Sequence, residues 1–353
     1  MKRVIFVAPT QYGYNMDYFK YCELLSTNYE VHYLGIDCGR VLRESSNVKV
    51  HNVKRGKIGG RLSLLYNLFK LNRHHSFDKI FIYAVPLSSL ALLFTEHDNV
   101  ILDIRTSAIS GKIKSKIINK LISIESHFFK TTSVISFGVA DFMKIKSKRI
   151  RLLPLGADVG LLTDRDNQRV SLLYVGTFYD RHIENTVLGV KKLLSFEDNL
   201  TPQNFNYYII GFGSAKEVSL VKNAIEANGL QKYVFFEGEK RFEQLMPYYE
   251  MCNVGVSYIP LTDYYDCQPP TKTFEYLLNS MAVIATPTTE NNAIINETNG
   301  VILKGDSPDD FALGVKELIE KLPSLDFRDI HLQSLKYTWE NILKENLIHI
   351  IEE

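Results

Sequence analysis

The segment from Gln268 to Thr286 combines residue types that are suited to holding a diphosphate. Pro269 and Pro270 precede a helical pattern, and the free N–H groups at a helix start attract anions. Lys272 adds a full positive charge there, and Glu275, one turn later, can accept two hydrogen bonds from a ribose diol. The alternative is a surface helix in which Lys272 and Glu275 form an ordinary i,i+3 ion pair.

A second basic group follows the apolar run Tyr174–Thr177. Gly176 allows the backbone to approach a ligand closely. The guanidinium of Arg181 can make two parallel contacts to phosphate oxygens, which suits it to a departing diphosphate. The alternative is that Arg181 pairs with Asp180 or Glu184 on the surface.

Asp103 and Arg105 follow an apolar run in the first half of the chain. Charged residues at the carboxyl end of a parallel strand are typical of ligand sites. Asp103 can orient an acceptor hydroxyl or a sugar, and Arg105 can pair with Asp103 or with phosphate. A buried bridge between the two, which ties the sheet to a helix, is the alternative.

Other catalytic patterns are missing from the sequence. There is no H-E-x-x-H segment, no D-x-D flanked by apolar strand residues and no Cys/His cluster with metal-ligand spacing. We therefore expect neither a metal nor a cofactor. A G-x-S-x-G elbow and a P-loop are also lacking, which disfavours hydrolases and ordinary nucleotide triphosphatases.

The order of elements predicts an α/β protein with two doubly wound, Rossmann-like domains. Apolar runs rich in Val, Ile and Tyr alternate with longer amphipathic runs along all 353 residues. We expect one domain over residues 1–163, with a C-terminal helix at 337–353 packing back across the domains, and another over 164–336. A ligand cleft is expected where the carboxyl ends of the two sheets meet.

The predicted strands fall into two series of six. They are Arg3–Ala8, Glu30–Leu34, Val48–Val53, Lys79–Tyr83, Val100–Asp103 and Ser133–Ser136, then Ser171–Val175, Tyr207–Ile210, Val234–Glu237, Val254–Ser257, Val283–Ala285 and Val301–Leu303.

Charge is divided unevenly along the chain. Residues 1–150 carry 23 Lys and Arg against 11 Asp and Glu, a net charge of +12, and the remainder carries −11. The first half has two basic clusters, Lys54-Arg55-Lys57-Arg61 and Lys112-Lys114-Lys116-Lys120. They suit an anionic membrane surface, although a solvated helix face is the alternative.

No nucleic-acid-binding motif accompanies the charge. The cysteine pattern and the short apolar runs indicate a cytoplasmic protein without a membrane span.

In the order and spacing of its motifs, the sequence resembles the retaining GT-B glycosyltransferases of family 4. The resemblance spans nearly the whole chain. The matching fragments are Val7-Ala-Pro, Leu153–Asp158, Tyr174–Thr177, Ile210–Ser214, Phe236–Gly238, Lys272-x-x-Glu275-Tyr and Met281–Thr286.

The resemblance implies roles for individual residues. Glu275 would bind the nucleotide ribose, and Arg181 and Lys272 would neutralise the departing diphosphate. Further donor contacts are implied at Gly13, Gly176, Gly211, Gly213, Lys240, Arg241 and Thr273. The family's first glutamate, eight positions before Glu275, is replaced by Cys267, so Asp266 or Cys267 is left to contact the donor sugar.

The implied activity is retaining and metal-independent sugar transfer at the inner face of the cell membrane. The donor would be a UDP-hexose or UDP-HexNAc. The acceptor would be a saccharide linked to polyprenyl diphosphate, in O-antigen or capsule assembly. The alternatives are a UDP-sugar 2-epimerase of the same architecture and a non-catalytic, two-lobed sugar-binding protein.

Overall fold

The chain forms two compact units. The structure is a computed structural model that describes residues 1–41, 43–54, 59–108 and 113–353. Unit 1 comprises Met1–Gly156 and Trp339–Glu353, and unit 2 comprises Ala157–Thr338. The limits predicted from the sequence, after residues 163 and 336, lie a few residues away from these.

Residues 1–156 build a parallel sheet covered by helices. The strands are β1 Arg3–Ala8, β2 Glu30–Ile36, β3 Val48–Val53, β4 Lys79–Tyr83, β5 Val100–Ile104, β6 Thr131–Val134 and β7 Arg149–Leu152. The helices are α1 Met16–Leu25, α2 Gly60–His75, α3 Ile113–Ser126 and α4 Phe137–Met143, together with a 3-10 helix at Ser88–Leu93. The strand order is β3-β2-β1-β4-β5-β6-β7, so the connections reverse direction between β1 and β4.

Unit 2 repeats this arrangement with six parallel strands. They are β8 Val170–Thr177, β9 Phe205–Phe212, β10 Val234–Gly238, β11 Val254–Ser257, β12 Ala282–Ala285 and β13 Gly300–Ile302, in the order β10-β9-β8-β11-β12-β13. The helices are α5 Glu184–Leu193, α6 Ala215–Ala227, α7 Phe242–Met251, α8 Asp263–Asp266, α9 Thr271–Leu278, α10 Thr289–Ile294, α11 Pro308–Lys321 and α12 Phe327–Ser334, with 3-10 turns at Leu322–Ser324 and Leu335–Tyr337. The order reverses between β8 and β11, and ligands bind at the carboxyl ends of strands beside such a reversal.

The last residues complete the core of unit 1. They form α13 Trp339–Ile342, a π-helical turn at Leu343–Leu347 and α14 Ile348–Glu352. Their buried apolar side chains join the core cluster that contains Phe6 and Tyr18. The π-helical turn interrupts the single long helix that the amphipathic pattern predicts.

The predicted fold class is confirmed, since both units are doubly wound parallel sheets with helical crossovers. Two details differ. Strand β7 was not predicted, because two of its four residues are arginines, at positions 149 and 151. Strand β6 lies two residues before its predicted position, because the hydroxyl-rich run Thr131–Ser133 forms its first part.

The described helices include none that is long and apolar enough to cross a membrane. Of the basic clusters, Arg55, Lys57 and Lys112 lie outside the described residues. Lys114, Lys116 and Lys120 lie exposed on α3.

The contact between Gly156 and Trp339 gives a test of how the terminal segment is anchored. A Cβ atom at residue 156 would lie 2.6 Å from Trp339 Cε3. We expect Gly156→Ala to lower the free energy of unfolding by about 1–3 kcal/mol through overpacking. Measured by urea denaturation, that loss should shrink in a Trp339→Phe background, and equal losses in both backgrounds would contradict the proposed contact.

Candidate active site

The start of α9, in unit 2, has no side-chain cap. Pro270 occupies the N-cap position and makes no side-chain capping hydrogen bond. The first N–H groups of a helix have no partner within the helix, and the helix dipole places partial positive charge on them. The two prolines therefore produce the anion-attracting helix start that the sequence predicts.

Lys272 places its ammonium group against an aromatic ring and not against a carboxylate. Nζ lies 4.0 Å from the centre of the Tyr174 ring. No salt bridge joins it to another described residue, so the predicted alternative of an ion pair with Glu275 is wrong. Burial, helped by the positive charge of Arg181, lowers the pKa of Lys272 to about 7. The cation is thus poised to gain stability from an incoming anion.

Arg181 is presented by a strained turn after β8. Its neighbours Asp180 and His182 have φ angles of 49° and 52°, in the left-handed region that non-glycine residues seldom adopt. The guanidinium carbon lies 3.9 Å from the centre of the Tyr265 ring, and the buried Nη1 has no hydrogen-bond partner. Glu184 instead approaches His182 at 3.5 Å. The alternative of a surface ion pair for Arg181 is therefore wrong among the described residues.

Glu275 lies inside unit 2 at a small pocket. The pocket has a volume of about 330 Å³ and is lined by Asp158–Leu161, Met246, Tyr249, Glu275 and Asn279. The Tyr249 hydroxyl donates a 3.4 Å hydrogen bond to Glu275 Oε2. Burial raises the pKa of Glu275, while the Tyr249 hydroxyl and the Lys272 charge oppose the rise. A carboxylate with spare acceptor capacity in a pocket suits a ligand that carries hydroxyl donors.

The three glycines of unit 2 that were expected at the donor make close contacts within the protein. A Cβ at Gly176 would lie 3.1 Å from Lys272 Nζ, so this glycine leaves room for the ammonium group. A Cβ at Gly211 would lie 1.8 Å from the carbonyl oxygen of Gly176, and one at Gly213 would lie 2.9 Å from Phe178 Cβ. The packing of β8 against β9 thus accounts for the G-x-G pattern without a ligand.

Thr273 and Lys240 were expected to contact the donor, but each is already engaged. Thr273 is fully buried, and its hydroxyl bonds to Ser257 Oγ at 2.7 Å and Asn291 Oδ1 at 3.1 Å. The structure does not offer that hydroxyl to a ligand. Lys240 Nζ lies 3.0 Å from Glu237.

The remaining residues expected at the donor are also held by protein contacts. Arg241 is the N-cap residue of α7, where its backbone N–H donates to the Gln244 side chain at 2.9 Å, and its own side chain is exposed. Asp266 accepts two hydrogen bonds from Thr289, at 2.8 and 2.7 Å. Cys267 is buried, which raises its thiol pKa to about 11. Neither Asp266 nor Cys267 is thus free to replace a sugar-binding glutamate in this conformation.

In unit 1, Asp103 and Arg105 are enclosed. Asp103 is 0% exposed and accepts a 2.7 Å hydrogen bond from Ser133. Arg105 bonds to Asp17 at 2.9 Å and to the Leu153 carbonyl at 2.7 Å. Both side chains connect β5 to its surroundings and are therefore not available for the expected catalytic contacts in this structure. This agrees with the alternative that Asp103 and Arg105 tie the sheet to a helix.

The backbone conformation at residue 13 requires a glycine. Its φ of +82° favours glycine, and a Cβ there would lie 2.2 Å from Arg43 Cδ.

Sequence reasoning did not identify Tyr174, Tyr249 or Tyr265. Their contacts depend on folding. Tyr174 and Tyr265 lie beside predicted site segments, whereas no local signal marks Tyr249.

Comparisons with known proteins concern the family and the fold. Residues 169–321, within unit 2, match the family described as "Glycosyl transferases group 1". No curated protein sequence matches the chain.

Three solved structures share the fold over nearly the full length. Sucrose-phosphate synthase from Thermosynechococcus elongatus aligns with a TM-score of 0.75 and 14% identity over 98% of this chain and 97% of that one. Anabaena HepE in complex with UDP aligns at 0.72 and 12% over 100% of both chains. The lipopolysaccharide outer core galactosyltransferase WaaB aligns at 0.71 and 13% over 100% and 99%. The chain has the GT-B fold, and together with the family match this supports a glycosyltransferase.

The lowered pKa of Lys272 makes anion binding depend on pH. Lys272 is charged below pH 7 and loses its proton above it. We expect the dissociation constant for UDP, measured by calorimetry, to rise about tenfold between pH 6 and pH 8.5, since about 1.4 kcal/mol of charge interaction is lost.

Lys272→Arg keeps its charge throughout this range and is the matched control, because it also reports the titration of UDP itself. The same pH dependence in wild type and in Lys272→Arg would contradict the assignment.

Proposed function

We propose that the protein is a retaining, metal-independent glycosyltransferase that transfers a hexose or HexNAc from a UDP-sugar. The observation that carries the proposal is the pair of cations, Lys272 and Arg181, which face aromatic rings and form no salt bridge with another described residue, in the unit that matches the glycosyltransferase family. Departure of a diphosphate builds negative charge on its oxygens. Fixed cations and helix N–H groups aimed at that charge lower the barrier.

The proposed reaction needs no dedicated base. The bond from the anomeric carbon to the UDP oxygen breaks while the acceptor hydroxyl forms the new bond on the same face of the sugar. The acceptor proton passes to an oxygen of the departing phosphate, so UDP leaves with that proton. Attack on the same face retains the anomeric configuration, and Lys272 and Arg181 stabilise the leaving group.

The donor is assigned as UDP-linked for two reasons. The pocket at Glu275 offers a buried carboxylate for a ribose diol, and Tyr249 holds that carboxylate in place. In addition, solved structures of Anabaena HepE, which shares this fold, carry UDP and UDP-glucose. We expect unit 2 to bind UDP in the corresponding manner.

We propose a saccharide linked to polyprenyl diphosphate as the acceptor, in O-antigen or capsule assembly at the cytoplasmic face of the membrane. An exposed apolar stripe on α3 supports a membrane location. Ile113, Ile117, Leu121 and Ile124 are three or four residues apart, and Ile113 is 77% exposed. Such spacing places them on one helix face.

Exposed basic and apolar side chains lie near this apolar stripe on α3. Exposed lysines at 114, 116 and 120 flank it, an arrangement typical of helices that lie in an anionic lipid interface. Glu125 accepts hydrogen bonds from the backbone of Leu87 and Ser89 and thereby holds the neighbouring 3-10 helix against α3. Leu93 on that 3-10 helix is 81% exposed.

Removal of the Lys272 charge tests the chemistry. We expect Lys272→Ala to lower kcat by about 10²–10³-fold with the fold intact, because one fixed donor to the developing anion is lost. UDP release is measured from UDP-glucose, UDP-galactose and UDP-HexNAc, with and without polyprenyl diphosphate-linked N-acetylglucosamine. Lys191→Ala on the exposed face of α5 is the matched control, with unchanged turnover.

The same assay separates the other activities. Acceptor-dependent UDP release supports the proposal. Isomerisation of the sugar without acceptor would identify an epimerase, and binding without turnover would identify a sugar-binding protein. Unchanged turnover in Lys272→Ala would remove that residue from the mechanism.

The α3 stripe gives a separate test of membrane binding. We expect the triple variant Ile113→Ser, Ile117→Ser, Ile124→Ser to lose most of its co-sedimentation with phosphatidylglycerol vesicles, because less apolar area enters the lipid. Leu332→Ser, at an exposed leucine of unit 2, is the matched control. Equal sedimentation of both variants and wild type would contradict a role for α3.

A further inference from the structure

Three histidines and a glutamate converge on one face of the sheet in unit 1. Glu30 and His32 lie two residues apart on β2 and so project from the same face. The register pairs His32 with Lys49, which places His51 diagonally opposite on β3. His75 is the last residue of α2, the helix that covers these strands.

The contacts within this group are close and specific. His32 is 0% exposed, and its Nε2 lies 3.1 Å from Glu30 Oε1. Its other nitrogen, Nδ1, lies 3.0 Å from Nε2 of His51. The ring centre of His75 lies 4.7 Å from that of His32. One ligand atom each from Glu30, His32 and His75 falls within 4.8 Å of the others.

We propose that Glu30, His32 and His75 form a binding site for a first-row transition-metal ion such as Zn²⁺. Carboxylate oxygen and imidazole nitrogen bind zinc at about 2.0–2.2 Å, which separates neighbouring donor atoms by about 3 Å. The 3.1 Å between His32 Nε2 and Glu30 Oε1 meets that requirement. A rotation of the partly exposed His75 side chain brings the third donor into range.

His51 would not bind the ion itself but would accept a hydrogen bond from the ligand His32. When Nε2 of His32 binds the ion, Nδ1 of the same ring must carry the proton. That N–H then donates to Nε2 of His51, 3.0 Å away. Metal-bound histidines nearly always donate their second ring N–H to an acceptor, which fixes the tautomer and the ring orientation, and here the unprotonated Nε2 of His51 would be that acceptor. Without an ion, the Glu30 carboxylate can only accept, so Nε2 of His32 carries the proton and donates to it. Binding of the ion therefore moves the ring proton of His32 from Nε2 to Nδ1.

Lys49 is the group that competes with the ion. Its Nζ lies 2.7 Å from Glu30 Oε1, whereas Arg3 Nε contacts the other carboxylate oxygen at 3.2 Å. The Lys49 side chain is 55% exposed and extends from β3 into solvent, so it can withdraw when the ion binds. Arg3 can keep its contact. The bound ion would link the end of α2 to β2 and stabilise unit 1.

The site is independent of the proposed sugar transfer. Glu30 is the first residue of β2 and His32 the third, whereas ligands of doubly wound sheets bind at the carboxyl ends of the strands.

The test uses the full chain without a histidine tag, in a Cys38→Ser background that removes the exposed thiol. Zn²⁺ is titrated by calorimetry, and Co²⁺ is added as an absorbing substitute. We expect one ion per chain, at least tenfold weaker binding in His75→Ala and in Glu30→Gln, and unchanged binding in His97→Ala, an exposed histidine of the same unit. Zn²⁺ should raise the Tm of wild type but not of His75→Ala.

A gain-of-affinity variant guards against misfolding as an explanation. We expect Lys49→Met to bind Zn²⁺ several-fold more tightly, because the competing ammonium group is gone. The proposal is overturned if wild type binds no Zn²⁺, if His75→Ala and His97→Ala bind equally, or if Lys49→Met leaves the affinity unchanged.

Discussion

The candidate site of unit 2 depends on cations that are held by aromatic rings instead of carboxylates. The ammonium of Lys272 faces the Tyr174 ring and the guanidinium of Arg181 faces the Tyr265 ring. A ring attracts a cation by about 0.5–2 kcal/mol without neutralising its charge. A carboxylate partner would have fixed the same side chains but cancelled the potential that a diphosphate needs. Gly176 and the left-handed turn around Arg181 both serve this arrangement.

Arg105 of unit 1 and Arg181 of unit 2 use their charges differently. In unit 1, the Arg105 guanidinium donates hydrogen bonds to Asp17 and to the Leu153 carbonyl, so its charge stabilises the fold. In unit 2, a buried nitrogen of Arg181 has no partner. Buried polar groups are almost always hydrogen-bonded, and Oδ2 of Asp103 in unit 1 is a second exception. Arg181 is partly exposed, so a ligand can reach it, whereas Asp103 is 0% exposed.

Much of the fold could be predicted because alternation of apolar and amphipathic runs sets the secondary structure of parallel sheets. Lys272 and Glu275 could be proposed as site residues because the two prolines and the helix start act locally. Thr273 and Gly211 were misassigned because their environments come from distant segments. The buried partners of Thr273 lie on β11 and α10, and the carbonyl beside Gly211 belongs to β8. No local pattern reveals such neighbours.

The discontinuity of unit 1 has a consequence for biosynthesis. The core around Phe6 and Tyr18 includes Trp339 and Ile350, which are translated only after all of unit 2. Unit 2 is continuous in sequence and can therefore fold on the ribosome first, while the nascent unit 1 still lacks part of its interior. During that interval the part of the apolar surface around β1 and α1 that the last residues cover is open to chaperones.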